Sequence, residues 1–112
     1  GVLLGAFGAH LLKSRLLASG HLEVWHTAVF YHLIHTLAAF AACAFPASTR
    51  GAARSLEAAS ACWLAGVILF SGSLYAIALG GPAWLGPLTP CGGLFLVAGW
   101  LCLLPLARRP HP

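Results

Sequence analysis

The sequence predicts an all-α integral membrane protein, a single domain of four transmembrane helices over residues 1–112, and three observations predict it. Hydrophobic residues make up 60% of the chain and charged residues only 7%, where a soluble domain is typically about a quarter charged. The mean hydropathy is +0.88. The few charges fall between long apolar runs that do not alternate with period two, so helices rather than barrel strands satisfy the backbone in hydrocarbon.

A span needs about 20 residues, because roughly 30 Å of hydrocarbon is crossed at about 1.5 Å per residue. Residues 25–45, 56–79 and 89–106 meet that length. The first apolar run, residues 1–12, is shorter, and the chain contains no Met. That helix is therefore expected to lack its natural start. Lys13, Ser14 and Arg15 with the Ser19–Glu23 stretch form the first connection, and Pro46–Arg54 form the second. Ser55 is the expected N-cap of the third helix. Gly80-Gly81-Pro82 ends it, and Thr89-Pro90 opens the last helix as N-cap and first-turn proline. Pro105 and Arg108-Arg109-Pro110 close the chain's last span. Trp25, Trp84 and Trp100 fall near predicted boundaries, where tryptophan anchors a helix at the lipid–water interface.

Lys and Arg counted by side set the orientation. Lys13 and Arg15 lie on one side, and Arg50, Arg54, Arg108 and Arg109 on the other. The richer side is expected in the cytoplasm, which puts the C-terminus there in a bacterial inner membrane. The net charge of +4 is what such flanks produce. No stacking surface is interleaved with the basic residues, so nucleic acid is not an expected partner.

On the second helix a 100° advance per residue gathers Thr27, Ala28, Tyr31, His32, His35, Ala38, Ala39 and Ala42 on one side. Phe30, Leu33, Leu37 and Phe40 lie opposite, toward lipid. His32 and His35 are thus expected to face the bundle interior, where intramembrane ionisable groups normally sit. One reading makes them ligands of a haem or metal, helped by His10, since imidazole coordinates metals near neutral pH. The other makes them hydrogen-bonding ties between helices, through Tyr31, Ser71, Ser73 or backbone carbonyls. Together His10, Tyr31, His32, His35, Ser71, Ser73 and Tyr75 form the candidate polar intramembrane cluster.

The third helix carries a stripe of small residues: Ala58, Ala61, Cys62, Ala65, Gly72, Ala76 and Gly80. Gly72-x-x-x-Ala76-x-x-x-Gly80 is spaced for close approach of two helix backbones, and Gly92, Gly93 and Gly99 repeat the theme on the last helix. Cys43, Cys62, Cys91 and Cys102 include no Cys-x-x-Cys pair and read as apolar packing residues.

Four stretches in order carry a resemblance: Gly5-Ala6-Phe7-Gly8-Ala9-His10 with Lys13, then Trp25 to His35, then Phe70-Ser71-Gly72-Ser73-Leu74-Tyr75, then Gly86 to Gly93 with Gly99-Trp100. The chain resembles the domain of unknown function 423 family, also described as transmembrane protein 256-like. The resemblance covers essentially the whole chain and implies a small four-helix membrane protein. It brings no activity with it. Leu11-Leu12 replaces a small residue of the commoner pattern, and Cys91 stands where an aliphatic residue is usual.

These readings lead to a non-enzymatic multi-pass protein with no catalytic residue, cofactor or metal, acting as an accessory subunit or a small-solute carrier. Its expected partners are the bilayer and either another membrane protein or further copies of itself. The alternative is a haem- or metal-binding redox protein that uses the intramembrane histidines.

Overall fold

The structure, a computed structural model, describes residues 1–44 and 46–107. The expected helix end at Phe45 and the basic tail Arg108-Arg109 lie outside the described residues. Among the described residues the fold is entirely helical: α1 Val2–Ala9, α2 Lys13–Ala18, α3 Leu22–Ala44, α4 Arg50–Ala78, a single 3₁₀ turn Ala83–Leu85, α5 Leu88–Leu101 and α6 Leu104–Ala107. Three segments are long and apolar enough to cross a membrane, namely α3, α4 and the composite Ala83–Ala107. α4 is the central helix, packed along both α3 and α5. The resulting body is flat, 58 × 27 × 16 Å.

The first apolar run forms only a short helix within residues 1–12. This is the eight-residue α1, about 12 Å long, which runs antiparallel along the first half of α3. Gly1 abuts Leu33, Gly5 approaches Val29, and Gly8 lies under the Trp25 ring. A turn follows despite Leu11-Leu12, held by the Leu12 N–H to the Phe7 carbonyl at 2.8 Å. The short helix α2, absent from the sequence reading, then packs Leu16 against Trp25 and Ala78.

Helix ends follow local chemistry. α2 and α4 both end in Schellman motifs, with Gly20 at φ +73° and Gly80 at φ +88°. The Gly80 and Gly81 N–H groups reach back to the Ile77 and Ala76 carbonyls at 3.0 and 2.8 Å, the pairing that this cap requires. The Leu79 carbonyl at that end accepts a hydrogen bond from Arg15 Nη2 at 3.0 Å. The first and third connections therefore meet at one end of the molecule, as the sequence reading placed them.

Three boundaries differ from expectation. Thr49, not Ser55, caps α4, and its hydroxyl accepts from the Ala52 N–H at 3.2 Å. The alanines of Arg50–Arg54 are strong helix formers and carry the helix one and a half turns beyond the expected start. Thr89 is inside α5 rather than its cap, which is Pro87. The last helix breaks after Leu101, because the Pro105 ring would clash with the Leu101 carbonyl one turn earlier.

The predicted lipid face of α3 is exposed: Phe30 59%, Leu33 40%, Leu37 67% and Phe40 70%. Leu37→Phe is therefore expected to leave the thermal midpoint in detergent, followed by circular dichroism, within the roughly ±0.5 kcal/mol of a silent surface change. Thr27 and Tyr31, expected on the inner side, are exposed, whereas Ala28, His35, Ala39 and Ala42 are buried. The packing stripe of α4 is also displaced. Ala58, Ala61, Gly72 and Gly80 are exposed, and a side chain added at Gly72 or Gly80 would meet nothing within 4 Å. The buried face carries Ala59, Trp63, Gly66 and Ser73 instead. The contact surface was misplaced because α4 has small residues on more than one side, so residue size alone does not select the packed one.

Close approach of α4 to α5 rests on three glycines. Gly66 receives the Leu96 side chain, Gly92 lies against the Phe70 backbone, and Gly99 lies against the Trp63 ring. Gly92 and Gly99 were expected; Gly66 was not. A Cβ added at Gly93 would make only ordinary contact with the Phe70 ring, at 3.7 Å.

Candidate functional site

The polar residues of the expected cluster are distributed over separate places. His35, 5% exposed, sits midway along α3. Its Nδ1 lies 2.9 Å from the Tyr31 carbonyl, which can only accept, so Nδ1 carries the proton. Its Nε2 lies 3.2 Å from the Trp100 indole nitrogen, which can only donate, so Nε2 supplies the lone pair. His35 is thus the neutral Nδ1–H tautomer with both ring nitrogens engaged, and it ties α3 to α5. Tyr31 stacks on the His35 ring within 6° at 5.8 Å and leans on Phe70 at 4.8 Å.

His32 points to a different neighbour. Its Nδ1 lies 3.3 Å from the Tyr75 hydroxyl on α4, and Tyr75 in turn meets the Trp25 ring at 4.8 Å. A third tie joins α4 to α5: Ser73 Oγ donates to the Phe70 carbonyl at 2.9 Å and lies 2.6 Å from Thr89 Oγ1. Ser71 is fully buried, and its hydroxyl has no hydrogen-bond partner among the described residues. His10 is exposed at the end of α1, beside Leu3, Phe7 and Leu11, apart from both other histidines.

Two tryptophans behave otherwise than expected. Trp25 is 2% exposed and donates to the Leu4 carbonyl at 2.9 Å, fixing α1 onto α3. Trp100 is His35's partner and also packs on Trp63 at 4.8 Å. Trp84 keeps an exposed position between the ends of α4 and α5. Trp63, which sequence reasoning did not single out, is 1% exposed at the centre of a core with Ala39, Ala42 and Ala59. Its signal was available: it is a large ring set among the small residues of the first half of α4. Cys62 and Cys102 are distant in sequence, yet they are neighbours across α4 and α5.

Chemically, the residues of the expected cluster supply three interhelix ties, beside the Trp25–Leu4 bond. Among the described residues no group of three His, Cys, Asp or Glu side chains is placed to hold a metal ion. His35 has no free lone pair while Trp100 is bonded to it, so the residues present do not make a haem or metal ligand set from His10, His32 and His35.

The sequence comparisons agree with this picture of a small membrane protein. A family model described as "Protein of unknown function (DUF423)" matches residues 4–93. The chain belongs to that family. DUF423 relatives include the UPF0382 membrane protein YwdK of Bacillus subtilis (strain 168), 39% identical over 106 residues, covering 95% of this chain and 85% of that protein. The UPF0382 membrane protein SH2409 of Staphylococcus haemolyticus is 41% identical over 102 residues, covering 89% and 79%. The UPF0382 membrane protein C1782.12c of the yeast Schizosaccharomyces pombe is 36% identical over 106 residues, covering 90% and 86%. No solved structure matches this DUF423 chain.

Proposed function

We propose that the protein is a non-enzymatic accessory subunit of a membrane assembly in the bacterial inner membrane, with its C-terminus in the cytoplasm. The observation that carries this reading is how the intramembrane polar groups are used. His35–Trp100, His32–Tyr75 and Ser73–Thr89 are three ties in three places, each joining two helices. A solute carrier needs polar groups free to line a path, and these are engaged with one another. The same pairing disfavours a redox role, since His35 has both ring nitrogens engaged.

A subunit role is supported by how little the spans cover one another: 22, 28 and 17% of the most apolar window is buried in α3, α4 and Ala83–Ala107. The open stripe of α4, with Ala58, Ala61 and Gly72 exposed, suits a neighbouring helix, because small residues let backbones approach. Extraction into polymer-bounded nanodiscs followed by native mass spectrometry tests the reading. Species heavier than one chain are expected, and Gly72→Leu is expected to shift them to the single chain without loss of helicity. A wild-type protein that stays a single chain would overturn the proposal.

The orientation has its own measurement. A reporter fused after Pro112 is expected to be active in its cytoplasmic form only, because four of the six basic side chains fall on the side of the second connection and the tail. Activity of a periplasm-dependent reporter at that position would reverse the assignment.

A further inference from the structure

At the end of the molecule that carries the first connection, a recess of about 150 Å³ is lined by Gly8 and Ala9 of α1, Lys13 of α2, and Leu22 and His26 of α3. Gly8 and Ala9 leave one wall without bulk, while Lys13 and His26 bring basic groups to it from two different helices. Among the described residues the Lys13 ammonium has no ion pair and no hydrogen bond. His26 Nδ1 lies 3.9 Å from the Glu23 carboxylate, beyond hydrogen-bond length. Both of those side chains are open to the surroundings, His26 at 54% and Glu23 at 91% exposure. Leu22 opens α3, and the N-terminal end of a helix adds partial positive charge.

The setting selects the ligand. Leu22 begins a span, so the recess lies at headgroup level, where phosphate is the abundant anion and basic pockets take it up. The recess has the volume of roughly five water molecules, enough for a headgroup and too little for an acyl chain. Its charges are of both signs, two basic groups at the recess and one carboxylate a turn before His26 on the same helix. A headgroup carrying only phosphate would suit Lys13 and His26 but would set a second negative charge beside Glu23. A primary ammonium two carbons from the phosphate reaches Glu23 and donates to it, as a lysine does. A quaternary ammonium has no N–H to give.

We propose that this recess binds the headgroup of a zwitterionic phospholipid bearing a primary amine, the chemistry of phosphatidylethanolamine, with its phosphate between Lys13 and His26 and its ammonium at Glu23. The site is separate from the open stripe on α4 and does not depend on the assembly role.

The test uses the whole chain in mild detergent with equal amounts of phosphatidylethanolamine, phosphatidylglycerol and phosphatidylcholine of one acyl composition, read by native mass spectrometry. One phosphatidylethanolamine retained per chain, ahead of the other two, is expected. Lys13→Gln is expected to weaken phosphatidylethanolamine and phosphatidylglycerol alike, and Glu23→Gln to remove the preference between them. Each effect is expected to be about 1.5- to 5-fold, that of one exposed ion pair. Both positions are exposed, so helicity and thermal midpoint are expected to stay unchanged, and Lys13→Arg is expected to hold the lipid as the wild type does. Equal retention of the three lipids by the wild type would overturn the proposal. So would a preference that survives Glu23→Gln, or retention indifferent to Lys13→Gln. Soluble phosphoethanolamine that displaces the lipid at equal concentration would assign the recess to a free phosphate compound and overturn the lipid reading as well.

Discussion

Gly92→Leu is expected to separate α5 from α4. A Cβ at position 92 would overlap the Phe70 amide nitrogen and the Leu69 carbonyl carbon, and backbone cannot swing aside as a flexible side chain does. The helices must move apart, which loosens Leu96 from Gly66 and Trp63 from Gly99 along the same seam. Overpacking in a tight core costs about 1–3 kcal/mol, and this substitution belongs at the upper end because it meets main chain. Thermal unfolding in mild detergent, with thiol labelling of Cys102 as a local probe, checks it. The expected result is a lowered midpoint with earlier labelling. Gly93→Leu, one residue on and in ordinary contact only, is the matched control and is expected to be far milder.

The second large effect is expected at the His35–Trp100 tie. His35→Ala leaves the indole N–H without its acceptor and opens space beneath Tyr31, for a loss of about 1–3 kcal/mol. Trp100→Phe removes the donor but keeps most of the ring contact with Trp63, so its loss is expected to be smaller. The double variant is expected to fall short of the sum by about 0.6 kcal/mol and by no more than about 1.7 kcal/mol, the average and the maximum found for hydrogen bonds between membrane helices. Strict additivity would mean that the bond contributes nothing.

Much of the architecture is legible in the sequence because lipid leaves few choices. Apolar length located α3, α4 and α5 to within a few residues over most of their extent, and the bulky face of α3 is the exposed one. The same reasoning could not register one helix on another. His32 and His35 share a side of α3, yet one meets Tyr75 on α4 and the other Trp100 on α5. Three residues leave the two side chains about 60° apart around the helix, enough to aim them at different neighbouring helices. Trp25 and Trp100 were misread for a related reason. Position near a span end suggests an interfacial anchor, whereas the indole N–H was already matched by a carbonyl on α1 or an imidazole on α3. Thr49 against Ser55 turned on whether Arg50–Arg54 counts as loop, and charge there outweighed the helical preference of its alanines.

The thickness of 16 Å changes what a core is in this protein. In a slab one or two helices deep, no span is surrounded by its own chain, and lipid or a neighbouring helix forms the remaining wall of each. The exposed positions of all three spans are therefore under the bilayer's selection rather than the fold's. A lysine at Ile68, 71% exposed on the central helix, would disturb little of the internal packing. It would still oppose insertion by about 2.5–3.5 kcal/mol, as much as the loss of a buried tie. Tolerance to substitution in this chain is set by membrane depth at least as much as by burial.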